Sequence, residues 1–181
     1  SRAYASSDGL SWQPVLADAW PYGVAWAQGR FVAVGQNAYT STNGLDWTRQ
    51  TTELGNFCGV AFGRGQFVAL GTTGLRDPAT PWIYTSADGA NWQSHVPSGL
   101  PSVYVWCNTS GMIFGRGRYV ATDQYRLWSS ADGVSWKLCY QTPVVELRRP
   151  VWIQNLAYGA GRFVAVGLNS YVPNKVLLMT S

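Results

Sequence analysis

The segment SADGANW, residues 86–92, decides how this chain is read, because it joins a turn-forming Asp-Gly pair to a tryptophan three residues beyond it. Nearly the same phrase stands at SSDGLSW (6–12), STNGLDW (41–47) and SADGVSW (130–136). The four tryptophans, Trp12, Trp47, Trp92 and Trp136, are 35, 45 and 44 residues apart, a period characteristic of propellers and solenoids. The chain is therefore read as a repeat before any other motif is weighed.

A second phrase alternates with the first: WAQGRFVAVG (26–35), FGRGQFVALG (62–71), FGRGRYVATD (114–123) and YGAGRFVAVG (158–167). Each contains a two-residue turn ending in glycine, which accepts positive φ and suits a hairpin. Pairing across that turn sets Trp26 opposite Phe31, Phe62 opposite Phe67, Phe114 opposite Tyr119 and Tyr158 opposite Phe163, and cross-strand aromatic pairs contribute up to about 1 kcal/mol each. The following strand, for example Phe67-Val68-Ala69-Leu70, is apolar on both faces and so is expected to be buried on both sides.

The Asp-Gly phrase is expected to close the other hairpin. With Asp88-Gly89 as a two-residue turn, Ser86 faces Asn91 and Thr85 faces Trp92; Asp8, Asn43 and Asp132 act in the same way, and each tryptophan plugs the gap between neighbouring units. Calling the strands of a unit A to D, with A and B around the first turn and C and D around the second, four antiparallel strands repeat about every 44 residues. The fold class is all-β: a propeller of four-stranded antiparallel blades, about four of them visible, with a solenoid as the alternative architecture.

Ser86-x-Asp88-Gly89-x-x-Trp92 and its copies resemble the Asp-box, or BNR, repeats of sialidases and of many non-enzymatic bacterial and phage propellers. The box here is one residue shorter between Asp and Trp than the usual form, and one copy carries Asn43 in place of Asp. The resemblance spans nearly the whole chain and implies a propeller. It implies a non-enzymatic bacterial or phage member before a sialidase, and a virion, extracellular or cell-surface setting.

The chain is read as a single domain, 1–181, with repeat units at 1–16 (partial), 17–52, 53–97, 98–141 and 142–181 (partial). It begins and ends in strand C, so a four-bladed ring could close by pairing the first C and D strands with the last A and B strands, leaving one C strand over. The alternative is a piece of a longer propeller, and the start without Met fits a processed, trimmed or partial chain.

Charged residues make up only 12% of the sequence, while 10 Trp, 10 Tyr and 20 Gly are many, as strands, tight turns and aromatic packing require. The net charge of +4 is spread over repeated arginine positions, which argues against a nucleic-acid partner. Membrane insertion is not expected, because no apolar run reaches the roughly 18 residues a helix needs to span a bilayer. Cys58, Cys107 and Cys139 cannot all pair within the chain and match no zinc spacing, so they are read first as buried small hydrophobes. Asn108-Thr109-Ser110 is a glycosylation sequon relevant only in a secreted eukaryotic protein.

Variable loops on a rigid scaffold generally carry function, and the B to C and D to A connections are expected to be the longer, irregular ones. They hold Trp20, Tyr22, Arg76, Asp77, Trp82, Tyr104, Trp106, Tyr125, Arg126, Glu146, Arg148, Arg149, Trp152 and Tyr171. Aromatic rings beside Arg and Asp suit a glycan, whose C–H faces stack on rings while its hydroxyls take charge-assisted bonds, and they equally suit a surface protein.

Catalytic groups are sparse. His95 is the sole histidine, and with Asp8, Asp88 and Asp132 in turns and Asp46 in a D strand, only Asp18, Glu53, Asp77, Asp123 and Glu146 remain for acid–base work. The sialidase arginine triad has no clear match, since Arg30, Arg118 and Arg162 share one repeat position and Arg64 and Arg116 lie in turns. No catalytic residue, metal or cofactor is assigned: the Gly-rich phrases precede no helix that could cradle phosphate, and the turn aspartates lack a calcium ligand ladder. The expected function is non-catalytic recognition of a glycan or surface protein, as in a phage tail component. The alternatives are an architectural module docking on copies of itself or other assembly proteins, and a glycosidase.

Overall fold

A computed structural model describes residues 3–16, 19–50, 56–72, 81–100, 111–123, 125–142, 144–145, 149–150, 152–168 and 176–180. A leading hairpin, β1 (Ala3–Ala5) and β2 (Gln13–Val15), precedes blade I, formed by β3 (Pro21–Ala27), β4 (Arg30–Gly35), β5 (Ala38–Ser41) and β6 (Thr48–Gln50). Blade II comprises β7 (Asn56–Gly63), β8 (Gln66–Thr72), β9 (Pro81–Ser86) and β10 (Gln93–His95). Blade III comprises β11 (Met112–Gly115), β12 (Arg118–Thr122), β13 (Arg126–Ser130) and β14 (Lys137–Gln141). A short pair, β15 (Val144–Val145) with β16 (Arg149–Pro150), leads to blade IV, formed by β17 (Trp152–Gly159), β18 (Arg162–Leu168) and β19 (Val176–Thr180). These strands pair antiparallel in chain order within each sheet, and β3, β7, β11 and β17 lie side by side, so the protein is an all-β propeller of antiparallel blades.

The A to B hairpins have the expected register, with Trp26 opposite Phe31, Phe62 opposite Phe67, Phe114 opposite Tyr119 and Tyr158 opposite Phe163. Their ring centroids lie 4.4 to 4.8 Å apart. Both residues of each turn have positive φ, for example 52° at Gln28 and 74° at Gly29, the mirror-image turn that matches strand twist. Strand β8 is buried on both faces from Phe67 to Leu70.

The C to D register differs from the expectation by one residue. Thr85 pairs with Gln93, not Trp92, and the same shift sets Ala5 opposite Gln13, Thr40 opposite Thr48 and Ser129 opposite Lys137. Gly89 has positive φ but Asp88 does not, so the phrase forms a wider loop closed by side chains instead of a two-residue turn. Two further expectations are corrected. Strand β18 takes β19 as its C strand and β1 pairs with β2, so the described sheets do not show the ring-closing pairing of first and last strands. The B to C connection is also short in blade I, where Gln36 and Asn37 alone join β4 to β5, and in blade III, where only 123–125 intervene.

Packing runs from blade to blade. Val60, Phe67, Ala69 and Tyr84 of blade II share a core with Val32, Val34 and Ala38 of blade I. Met112, Tyr119, Ala121 and Trp128 of blade III share one with Ala61, Val68, Leu70 and Ile83 of blade II, while Leu156 of blade IV packs toward Ile113, Val120 and Leu127 of blade III. Glycine makes the close approach possible: a Cβ on Gly63 would overlap the Phe114 ring and one on Gly115 would overlap the Tyr158 ring. Hydrogen bonds span the same gaps, from Tyr119 Oη to the Gly63 carbonyl (2.5 Å), Arg30 Nη1 to the Asp88 carbonyl (3.2 Å) and Gln66 Nε2 to the Asp132 carbonyl (3.2 Å).

Gly115→Ala is expected to cost about 1–3 kcal/mol in urea unfolding by overpacking this gap. Gly111→Ala, whose Cβ would meet only ordinary contacts at 3.7 Å and beyond, serves as its control and should fall within about 0.5 kcal/mol of the parent.

Candidate functional site

The repeated phrase builds one local structure four times. In blade II the Gly89 amide donates to Ser86 Oγ (2.8 Å), and the Ala90 and Asn91 amides donate to Asp88 Oδ1 (2.9 and 2.8 Å). The Trp92 indole donates back to the Gly89 carbonyl (3.0 Å). Equivalent bonds recur around Asp8, Asn43 and Asp132. The Asn43 copy exchanges acid and amide: Asn91 Nδ2 donates to Asp88 Oδ2 in one loop, whereas Asn43 Nδ2 donates to Asp46 Oδ2 in the other, both at 2.8 Å. Sequence held a signal for this exchange, because DGAN and NGLD carry the same two residue types in reverse order.

These bonds set the charge of the loops. The Ser11 and Leu10 amides hold the Asp8 carboxyl at about 2, below its ordinary 3.8. The Asn91 amide is the main cause holding Asp88 well below the carboxylate range, against an opposing effect of burial and with help from the Ala90 amide. Burial acts most strongly on Asp132 and raises it, but the Ser135 and Val134 amides and neighbouring hydroxyls together outweigh that effect and leave it well below the ordinary range.

The four tryptophans differ in surroundings. Trp136 is buried in the core shared by blades II and III, and Trp92 and Trp47 are half-buried, packing near Phe57 and Phe31. Trp12, in the leading hairpin, is instead 61% exposed. The reading of all four as plugs therefore fails at Trp12, which opens onto a cleft that Trp47 also lines. That cleft, of about 910 Å³, lies between the hairpin and blade I and is lined by Tyr4, Trp12, Tyr22, Val24 and Trp47 among others. Sequence reasoning missed it because it lies between two elements, the hairpin and blade I, and not within a motif.

At the loop-bearing end, Trp20, immediately before β3, and Trp152, the first residue of β17, occupy equivalent repeat positions and are 52% and 45% exposed. Each backbone is clamped: the Trp20 carbonyl lies where a Cβ on Gly35 would stand, and the Trp152 carbonyl where one on Gly167 would stand. Tyr22 sits at an irregularity between Pro21 and Gly23, and the same irregularity recurs between Phe57 and Gly59 and between Ile153 and Asn155. Trp82 lies on β9, half-buried against the core of blades I and II, so it is packing at this position and not a loop residue.

Tyr125 and Arg126 gather around Asp123, a buried carboxylate. It accepts the Tyr125 and Arg126 amides at 3.3 and 3.0 Å and the Trp128 indole at 3.3 Å, and pairs with Arg126 Nη2 at 2.9 Å. The Arg126 guanidinium also lies 5.5 Å from the Trp128 ring centroid. This cluster fixes the short connection of blade III and occupies a carboxylate that sequence left available for acid–base work. Arg149 falls on β16, while Arg76, Asp77, Tyr104, Trp106, Glu146, Arg148 and Tyr171, together with Asp18 and Glu53, lie outside the described residues. His95 is on β10 with Nε2 2.8 Å from Thr85 Oγ1. Cys58 is buried and disulfide-bonded, which corrects its reading as a plain small hydrophobe; Cys139 is free and exposed, and Cys107 lies outside the described residues.

No protein-family model matches the sequence, and no curated protein matches it significantly. Solved structures share the fold. The GH32 beta-fructofuranosidase BmSUC1 of Bombyx mori aligns with TM-score 0.51 and 17% identity over 88% of this chain, and YCF48 of Cyanidioschyzon merolae with TM-score 0.55 and 13% identity over 92%. This chain spans 44% and 57% of those two proteins. The computationally designed protein Ika4 aligns with TM-score 0.53 and 11% identity, over 90% of this chain and 91% of its own. At these identities the likeness is one of fold.

The box carboxylates make stability acid-sensitive. Their folded pKa values lie below the unfolded value of 3.8, so the stability they contribute is complete above that value and is lost as pH falls from about 4 toward 2. In urea unfolding across that window, Asp132→Asn, which keeps an oxygen for the two amides, should show a shallower decline than the parent. Asp132→Ala should lose about 1 kcal/mol already at neutral pH by leaving those amides without their acceptor. Parallel declines for parent and Asp132→Asn would contradict this account.

Proposed function

We propose that this chain is a non-catalytic binding module of Asp-box type that recognises a glycan or surface protein through its loop-bearing end. The observation that carries the reading is the pair Trp20 and Trp152: equivalent positions in blades I and IV, each held by a glycine-clamped backbone, each presenting an indole to solvent. A tryptophan exposed once on a surface needs no explanation, but two at one repeat position, on a rigid scaffold, each offer a flat ring for stacking. Sugar C–H faces suit such rings, and a glycan is the first partner to test; indoles also anchor protein interfaces, which keeps a surface protein as the second.

Among the described residues, the chemistry of the carboxylates supports recognition over turnover. Asp8, Asp88 and Asp132 serve as ionised acceptors in the box loops, and Asp123 is enclosed by its own donors. A general acid needs the opposite environment, one that holds its proton near neutral pH. The disulfide at Cys58 supports an oxidising setting, such as an extracellular or virion location.

In a glycan-array screen with the intact chain, binding is expected and should fall about tenfold or more in Trp20→Ala and Trp152→Ala, the loss of about 1.4 kcal/mol of stacking. Because both side chains are exposed, thermal stability should stay near that of the parent. Binding unchanged in both variants, or steady turnover of a fluorogenic sialoside, would overturn the proposal.

A further inference from the structure

Cations that are scattered along the sequence gather at one end of the fold. The A to B hairpins, 21–35, 56–72, 112–122 and 152–168, hold five of them, Arg30, Arg64, Arg116, Arg118 and Arg162, and no carboxylate. Arg64 and Arg116 take the first turn position, and Arg30, Arg118 and Arg162 directly follow the turn glycine, so all five stand at the turn-bearing end, opposite Trp20 and Trp152. Strands β3, β7, β11 and β17 lie side by side while β6, β10 and β14 form the far edges of their sheets, which makes these hairpins the inner ones. Asp46, Asp88 and Asp132 belong to the outer, C to D loops. Positive charge is thus concentrated on the inner turns.

Contacts carry this charge from blade to blade. Arg30 Nη1 donates to the Asp88 carbonyl of blade II (3.2 Å), the Arg64 charge bears on the Tyr119 hydroxyl of blade III, and Arg116 Nη1 donates to the Gly161 carbonyl beside Arg162 in blade IV (3.3 Å). Arg64, Arg116, Arg118 and Arg162 are exposed. Among the described residues none of the five makes an ion pair, whereas Arg126 is paired with Asp123. The outer carboxylates take donors from their own loops instead: two backbone amides each at Asp88 and Asp132, and Asn43 Nδ2 at Asp46.

We propose that the turn-bearing end binds an acidic polysaccharide, whose sulfate or carboxylate oxygens bridge the arginines of neighbouring blades. Guanidinium presents paired donors in a plane that matches those groups, and charge repeated along a polymer suits charge repeated from blade to blade. A nucleic acid fits less well. Single strands gain affinity by stacking bases on open aromatic rings, but the turn residues here are Gln, Gly, Arg and Ala, and each hairpin aromatic is engaged by its cross-strand partner at 4.4 to 4.8 Å. The inference does not rest on recognition at the loop-bearing end, and its variants leave Trp20 and Trp152 in place.

Isothermal titration of the intact chain with a heparin-derived oligosaccharide at low salt tests it. Binding is expected, and it should weaken as salt is raised. Arg64→Gln and Arg116→Gln should each weaken it about threefold, and the two together about tenfold. Gln28 holds the same turn position in blade I with φ 52°, so glutamine suits this backbone and circular dichroism should match the parent. Arg49→Gln, which removes the same charge from the outer strand β6, should bind like the parent. Absence of heparin binding, a double variant that binds undiminished, an equal loss in Arg49→Gln, or equally tight binding of single-stranded DNA of matched charge would overturn the proposal.

Discussion

An aromatic ring laid over a glycine sets the spacing between blades II and III and between blades III and IV. Phe114 rests on Gly63 and Tyr158 on Gly115, at points where any side chain would collide with the ring. Because each aromatic also pairs across its own hairpin, with Tyr119 or Phe163 in the next strand, one residue ties the register within a sheet to the packing between sheets. Hydrophobic burial drives the stacking, but it is non-directional; the ring and its seat decide which face meets which.

The Asp-containing loops secure the outer ends of the same stack. Their side chains satisfy backbone amides that no strand partner reaches, and their carbonyls at Asp88 and Asp132 accept bonds from the preceding blade. The tryptophan at each loop end bonds back to the loop glycine, so its ring is oriented before it packs. Where it packs into a core shared by two blades, as at Trp136, the indole is buried; where it opens onto a cleft, as at Trp12, the same internal geometry leaves it exposed. Local sequence builds the loop, and the neighbour determines its exposure.

Much of the fold was legible in the sequence for this reason. Hairpins joined by two-residue turns have their register set by local chemistry, and the pairs at Trp26, Phe62, Phe114 and Tyr158 follow from reading Gln28-Gly29 and its copies as turns. The C to D register was not legible from the same rule, since Asp88-Gly89 resembles a tight turn until the Ser86 and Asp88 side chains are seen to widen it. Exposure at the loop-bearing end depends on tertiary neighbours, so residues of one type fell differently: Trp20 and Trp152 are open, whereas Trp82 is packed. Asp123 read as a free carboxylate because its partners, Tyr125, Arg126 and Trp128, close around it only when the short connection folds back.

The ring-on-glycine contact is tested most directly by a double-mutant cycle between Gly63 and Phe114, measured by equilibrium unfolding. Gly63→Ala should destabilise the parent by about 1 kcal/mol or more and cost far less once Phe114→Ala has removed the ring, giving a coupling of about 1 kcal/mol. Costs that simply add would show that the two residues do not meet across the gap, and would contradict the stacking on which the propeller rests.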